Sequence, residues 1–208
     1  MIKRVAPPFV FACTVLLLVS GTLIGGGGFG VGVETVALWF EILGVGAIGA
    51  ILAIRKSENK VGWLLLGCGF FYGLNTLGEA LAVYSAVELD VSLQVSQNVM
   101  MLAGWCFVLA LACLALLFLV FPTGHLISPR WRWAVWLVTI SIPISAYSLL
   151  VISRAVNDIE GFLANFWSIE HAGQPVDSAT ALIFTAGFGV QLVAGLVGVA
   201  SLLIRLRR

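Results

Sequence analysis

Charged residues are scarce in this sequence. Its 208 residues include 11 Lys and Arg and 10 Asp and Glu, so that 10% are charged, whereas soluble domains carry about 25%. Hydrophobic residues make up 61% of the chain, and the mean hydropathy is +1.09. This composition excludes a disordered chain, a water-soluble enzyme and a protein that binds nucleic acid through a basic surface. It predicts an integral membrane protein without a nucleic-acid partner.

Residues that support catalysis or metal binding are also few. The four cysteines lack metal-ligand spacing, and we interpret them as small apolar packing residues. The glycine run at residues 25–28 lacks the Lys and Ser/Thr of a phosphate-binding loop. The sequence also has no nucleophile elbow and no zinc motif. We therefore expect no catalytic residue, no metal site and no cofactor, and we do not predict an enzyme.

Long uncharged runs dominate the sequence instead. A helix crosses the hydrocarbon core with about 20 residues, and six runs are long enough for one crossing each. They do not alternate between apolar and polar positions, as the strands of a membrane β-barrel do. We therefore predict an all-α integral membrane protein, with one transmembrane domain over residues 1–208 that forms a six-helix bundle. The predicted spans are residues 9–24, 36–54, 61–84, 98–121, 134–152 and 179–204.

The basic residues predict the orientation of these spans. With six alternating crossings and a cytoplasmic N-terminus, ten of the eleven basic residues face the cytoplasm and Arg154 alone lies outside, as the positive-inside rule expects. Both termini are then cytoplasmic. The alternative is a first run that is cleaved as a signal peptide, which leaves five helices and an outer N-terminus. The ten inner residues are Lys3, Arg4, Arg55, Lys56, Lys60, Arg130, Arg132, Arg205, Arg207 and Arg208.

The longest loop joins the fifth and sixth spans on the predicted outer side. Within residues 158–169, apolar side chains such as Ile159, Phe162 and Phe166 recur at three- and four-residue spacing, and polar residues fall mostly on the other side. The pattern predicts an amphipathic helix on the outer membrane surface. We interpret this helix either as a lid that covers the helix ends or as an element that helps to bind a ligand.

Two acidic residues, Glu41 and Glu79, lie within predicted spans, where Asp at the bilayer centre costs about 2.5–3.5 kcal/mol on insertion scales. Tyr72, Asn75 and Glu79 follow at i, i+3 and i+7 and form a polar stripe on the third span. One hypothesis joins these four residues in a pocket that is open to the outside and binds a small ligand or a proton. The other places both acids in the headgroup region or in interhelical hydrogen bonds. Three polar residues of the fifth span are candidate neighbours of this stripe: Ser145, Tyr147 and Ser148.

Two loops on the predicted inner side carry the most distinctive local sequence, and we name them the first basic loop (residues 55–60) and the second basic loop (residues 121–132). The first leads into Asn-Lys-Val-Gly-Trp-Leu at residues 59–64, and the second reads Phe-Pro-Thr-Gly-His-Leu-Ile-Ser-Pro-Arg-Trp-Arg. Aromatic and basic residues at these positions suit the headgroup boundary. The predicted membrane-interface anchors are Trp63, Arg130, Trp131 and Arg132.

The two stretches, in this order and at this separation, resemble the membrane-embedded N-terminal sensor region of histidine kinases common in actinobacteria and related bacteria. That family often shows Asn-Pro-Ile/Val-Gly-Trp-Leu at the first stretch and Phe-Pro-Asp/Thr-Gly-x-Leu-x-Ser-x-Arg-Trp-Arg at the second. Lys60 stands where the family usually has proline. Arg207 and Arg208 look like the start of the basic connector toward a kinase. We expect neither a phosphoacceptor-histidine helix nor a nucleotide-binding domain within these 208 residues.

The resemblance implies an input module in the bacterial cytoplasmic membrane, without catalytic activity of its own, that signals by shifting helix positions toward Arg205. Its expected partners are the lipid bilayer, a second copy or a partner histidine kinase, and a small hydrophobic or extracellular ligand. Two alternatives from other classes stay open. One is a small transporter or channel subunit that uses Glu41 and Glu79, and the other is a structural membrane partner protein.

Overall fold

The described residues form six long helices. The computed structural model describes residues 2–25, 33–89, 91–155 and 178–207, and no strand occurs within these ranges. A short 3-10 turn, Pro129–Trp131, precedes the fifth helix. The helices are α1 (Ile2–Gly25), α2 (Val33–Arg55), α3 (Lys60–Val87), α4 (Leu93–Val120), α5 (Arg132–Ala155) and α6 (Ser178–Leu206).

The helices have the length and the surface of membrane spans. Within the described residues, every helix except α2 contains a segment long and apolar enough to cross a membrane, and α2 itself has 23 residues. Large apolar side chains remain exposed on the outside of the bundle, for example Phe40 at 76% and Leu192 at 67%. Soluble proteins rarely leave so much apolar surface in contact with water. These are the properties of an all-helical protein with five to six membrane-crossing helices.

The helix bounds differ from the predicted spans mainly at the polar ends. The first helix begins at Ile2 and not near residue 9, because helical hydrogen bonding continues beyond the apolar stretch that hydropathy detects. The fourth helix ends at Val120, one residue earlier than predicted. Phe121 has extended backbone angles, φ −68° and ψ 145°, since the following Pro122 disfavours a helical conformation there. The predicted amphipathic segment at 158–169 lies outside the described residues.

Consecutive helices run antiparallel, which brings the start of α1, the end of α6 and both basic loops to one end of the bundle. We call it the terminal end. Helix α3 packs against α1, α2 and α4, and α4 in turn packs against α5 and α6. The bundle therefore consists of two three-helix groups, α1–α3 and α4–α6, that meet where α3 and α4 pack together.

Glycine allows the closest helix contact in the first group. A Cβ atom added at Gly62 of α3 would lie 2.6 Å from the backbone nitrogen of Ala53 in α2, and one at Gly49 of α2 would lie 2.6 Å from the backbone nitrogen of Leu66 in α3. Neither backbone position leaves room for a side chain. Small residues at such contacts allow close packing, which stabilises helix pairs in lipid, where apolar side chains gain little from leaving the solvent.

Small apolar residues also fill the centre of the second group. The buried cluster contains four alanines together with Leu119 and Val138, and Leu126 and Trp131 from the second basic loop pack against it. The second basic loop is therefore fixed to the end of the α4–α6 group. The cluster consists of Ala112, Ala115, Leu119, Ala134, Val138 and Ala194.

Candidate functional site at the terminal end

The first basic loop is held by two side chains. The Asn59 side-chain oxygen accepts a hydrogen bond from the backbone N–H of Val61 at 3.0 Å, so Asn59 is the N-cap of α3. The indole N–H of Trp63 donates to the carbonyl oxygen of Ser57 at 3.0 Å. Trp63 lies one turn into the helix and thus ties the loop back onto α3.

The second basic loop contacts this N-cap through a glycine. Gly124 has a φ of +79°, a left-handed conformation that favours glycine, and its N–H donates to the carbonyl oxygen of Val120 at 2.8 Å, which closes the end of α4. A Cβ atom at Gly124 would lie only 2.7 Å from the side-chain oxygen of Asn59. The asparagine of the first motif and the glycine of the second are therefore direct neighbours.

Arg205, in the last turn of α6, reaches into the second basic loop. Its Nη2 donates to the carbonyl oxygens of Leu119 at 2.7 Å and His125 at 2.5 Å. Its Nη1 donates to the carbonyl oxygen of Phe121 at 2.8 Å and also lies within hydrogen-bonding distance of the Val120 carbonyl and the Thr123 hydroxyl. We call this set of bonds the Arg205 fork.

The Arg205 fork is favourable because of where α4 and α6 end. These helices run parallel, so both carboxyl-terminal ends, which carry partial negative charge, meet at the terminal end. A guanidinium group placed there offsets this charge and supplies donors to carbonyls that have no further turn of helix to bond them. The fork therefore links the end of the chain to the loop that contacts the start of α3.

The predicted polar stripe on α3 forms a hydrogen-bonded contact with α4. The amide nitrogen of Asn75 donates to the Glu79 carboxyl oxygen at 2.8 Å and to the carbonyl oxygen of Ala103 in α4 at 3.3 Å. Asn75 is only 4% exposed. The ring of Tyr72 packs edge-on against Phe107 with ring centroids 6.1 Å apart. Asn75 therefore bonds across to α4, whereas the bond that Glu79 accepts stays within α3.

The fourth member of the predicted pocket, Glu41, lies on α2 and is exposed. It takes no part in the Asn75–Glu79 hydrogen bond. The serines of α5 join another helix: Ser145 donates to the carbonyl oxygen of Gly187 in α6 at 2.9 Å, and Ser148 also lies against Gly187. They therefore face α6, against which α5 packs.

The four predicted interface anchors lie in three different surroundings. Trp63 and Arg132 line one cavity between α3, α4 and α5. Arg130 is exposed in the 3-10 turn. Trp131 is half-buried against the α4–α6 cluster and stacks with Trp133, with ring centroids 6.1 Å apart. Trp131 thus combines partial burial against this cluster with a ring contact to the exposed Trp133.

Sequence reasoning missed the Arg205 fork and a buried polar contact between α5 and α6, in which Ser141 donates to the side-chain oxygen of Gln191. Gln191 is 5% exposed. A glutamine inside an apolar span is a usable signal, since buried amides need partners. For Arg205 the sequence offered a weaker signal, a basic residue in the last turn of the last span.

Comparison with known proteins adds no family assignment. No protein-family model matches the chain, and no curated protein or solved structure matches it significantly.

Proposed function

We propose that this chain is a membrane-embedded input module of a bacterial signalling system, with both termini in the cytoplasm and no catalytic activity of its own. The observation that carries the proposal is the Arg205 fork, because it joins the helix that leads to the C-terminal tail to the loop between α4 and α5. A change in the packing of α4 against α6 alters the fork and moves the tail.

The resemblance to kinase sensor regions supports this assignment. The two stretches that carry it, around Asn59 and around Gly124, lie 65 positions apart in the sequence and are in contact in the structure. Because the two motifs are in contact, we infer that they act together at the end of the bundle where a connector to a kinase would begin. The distribution of basic residues supports a cytoplasmic location for that end.

The proposal is tested by fusing the chain, through its own tail after Arg208, to the cytoplasmic catalytic region of a histidine kinase that lacks an input domain. The fusion is reconstituted in liposomes, and its autophosphorylation rate is measured. We expect the R205Q fusion to differ severalfold from the wild-type fusion, because the last turn of α6 loses its attachment to the second basic loop.

The matched control is R207Q, which removes the same charge from an exposed residue two positions further on. We expect its phosphorylation rate to equal that of the wild type. Equal rates for wild type, R205Q and R207Q in liposomes of every composition tested would refute the input-module proposal.

The transporter alternative depends on Glu41 and Glu79. In the structure one of these carboxyls bonds Asn75 within the bundle and the other is exposed on α2. The geometry therefore favours a packing role for Glu79 over a substrate pathway shared by the two acids. Ion or proton flux through proteoliposomes that contain the wild-type chain, abolished by E79Q, would favour the transporter instead.

A further inference from the structure

A cavity of about 730 Å³ lies at the terminal end, where α3, α4 and α5 come together. Its walls are mostly apolar and include Leu116 and Trp136, but Lys60 and Arg132 contribute two cations at its edge. The indole of Trp63 forms a fixed wall, since its N–H is committed to Ser57. The cavity therefore combines a large apolar surface with two positive charges.

The two cations strengthen a positive potential that the backbone already provides. Lys60 is the first residue of α3 and Arg132 is the first of α5, so the positive ends of two helix dipoles also lie at the cavity. The opposite contribution, from the end of α4, is offset by Arg205. No carboxylate is among the described residues that line the cavity. The one acid of the two basic loops, Glu58, is exposed and does not line it.

The depth of the site indicates the kind of anion. The membrane-crossing segments begin at Lys60 and at Pro129, which places both cations at the boundary between headgroups and hydrocarbon. Below them, the apolar wall is open to the surroundings of the bundle, and Trp136 is 65% exposed. A small soluble anion would leave this wall uncovered, whereas a phospholipid brings a phosphate for the cations and an acyl chain for the wall.

We propose that this cavity is a binding site for an anionic phospholipid of the adjacent leaflet. Lys60 and Arg132 bind its phosphate and headgroup, and an acyl chain lies along Leu116 and Trp136. The proposal depends on the cavity and its charges and is independent of the signalling role proposed above.

The experiment titrates the purified full chain in dodecylmaltoside micelles with dioleoyl phosphatidylglycerol or dioleoyl phosphatidylcholine, and native mass spectrometry counts the bound lipid. We expect saturable binding of one phosphatidylglycerol. Removal of both cations in K60Q/R132Q should weaken this binding about thirtyfold, from about 1 kcal/mol for each basic residue near an anionic lipid.

The matched control is K56Q/R130Q, which removes the same charges from the same two loops but at residues that do not line the cavity. We expect an affinity within about twofold of the wild type, because these two side chains lie outside the cavity and salt screens their charges from a lipid bound there. The charge-conserving variant K60R/R132K should retain binding, and it keeps the proposal testable even if K60Q/R132Q loses its circular dichroism signal.

Three results would overturn the proposal. Equal weakening in K60Q/R132Q and K56Q/R130Q would indicate general surface charge, and equal binding of phosphatidylcholine would indicate a site for acyl chains alone. Displacement of phosphatidylglycerol by inorganic phosphate at a similar concentration would indicate a site for a soluble anion.

Discussion

Substitution of Arg205 by glutamine tests the energetic importance of the fork. Two of its bonds, to the carbonyls of Leu119 and Val120, are partly buried, and the others are exposed. A hydrogen bond to a charged group contributes about 1.5–3 kcal/mol when buried, and we take about 1 kcal/mol for each of the two partly buried bonds. The charge beside two helix ends adds about 0.3–1 kcal/mol. R205Q should therefore lower the free energy of unfolding by about 2–3 kcal/mol.

The assay is reversible unfolding in mixed micelles of dodecylmaltoside and sodium dodecyl sulfate, followed by far-UV circular dichroism. R205K keeps the charge but cannot form a planar fork, so it should lose about half as much free energy as R205Q. R207Q should stay within about 0.5 kcal/mol of the wild type, because exposed substitutions usually have small effects.

A second measurement, hydrogen exchange, shows which part of the bundle R205Q destabilises. Hydrogen exchange in R205Q should accelerate in the last turns of α6 and in residues 121–125, while the α1–α3 group keeps its protection. If R205Q unfolds with the same free energy as R207Q, or if the loss of protection is uniform over the bundle, the fork does not attach α6 to the loop and the reasoning fails.

Two further predictions concern packing inside the bundle, and the same unfolding assay measures both. G62A should lower the free energy of unfolding by about 1–3 kcal/mol, because its Cβ would lie 2.6 Å from the backbone of Ala53. The control G44A has no heavy atom within 4 Å of the added Cβ, and equal losses in the two variants would contradict the close contact. N75A should cost about 1–2 kcal/mol by removing the bonds to α4 and Glu79, whereas E79Q should stay within about 0.5 kcal/mol because an amide oxygen still accepts from Asn75. A larger loss in E79Q than in N75A would contradict a packing role for this pair.

The helical spans followed from the sequence because the membrane imposes a simple requirement on each of them. A crossing needs about 20 apolar residues and must bond its own backbone internally, so uncharged runs show where the helices lie. The polar stripe on α3 was equally accessible, since Asn75 and Glu79 are four residues apart on one helix and a pair at that spacing shares a face.

Contacts between distant segments were not accessible in this way. The sequence left open which helix Ser145 faces, and the structure places it against α6, at the carbonyl of Gly187. Trp131 was predicted as an interface anchor from its residue type, and the structure adds that it packs against the α4–α6 cluster at the end of the 3-10 turn. The type of a residue and its depth in the bilayer do not determine which neighbouring residue its side chain contacts.

The sequence by itself determined the class of protein, the approximate positions of its helices and the end of the bundle at which basic residues gather. Only the tertiary structure decided that Arg205 bonds the end of α4 and that Lys60 and Arg132 border one cavity. The physical reason is that apolar residues surround every helix in lipid, so hydrophobicity does not select the rotation of one helix against another. That choice is made by small residues and by hydrogen bonds between residues far apart in the chain, such as the one between Arg205 and Leu119.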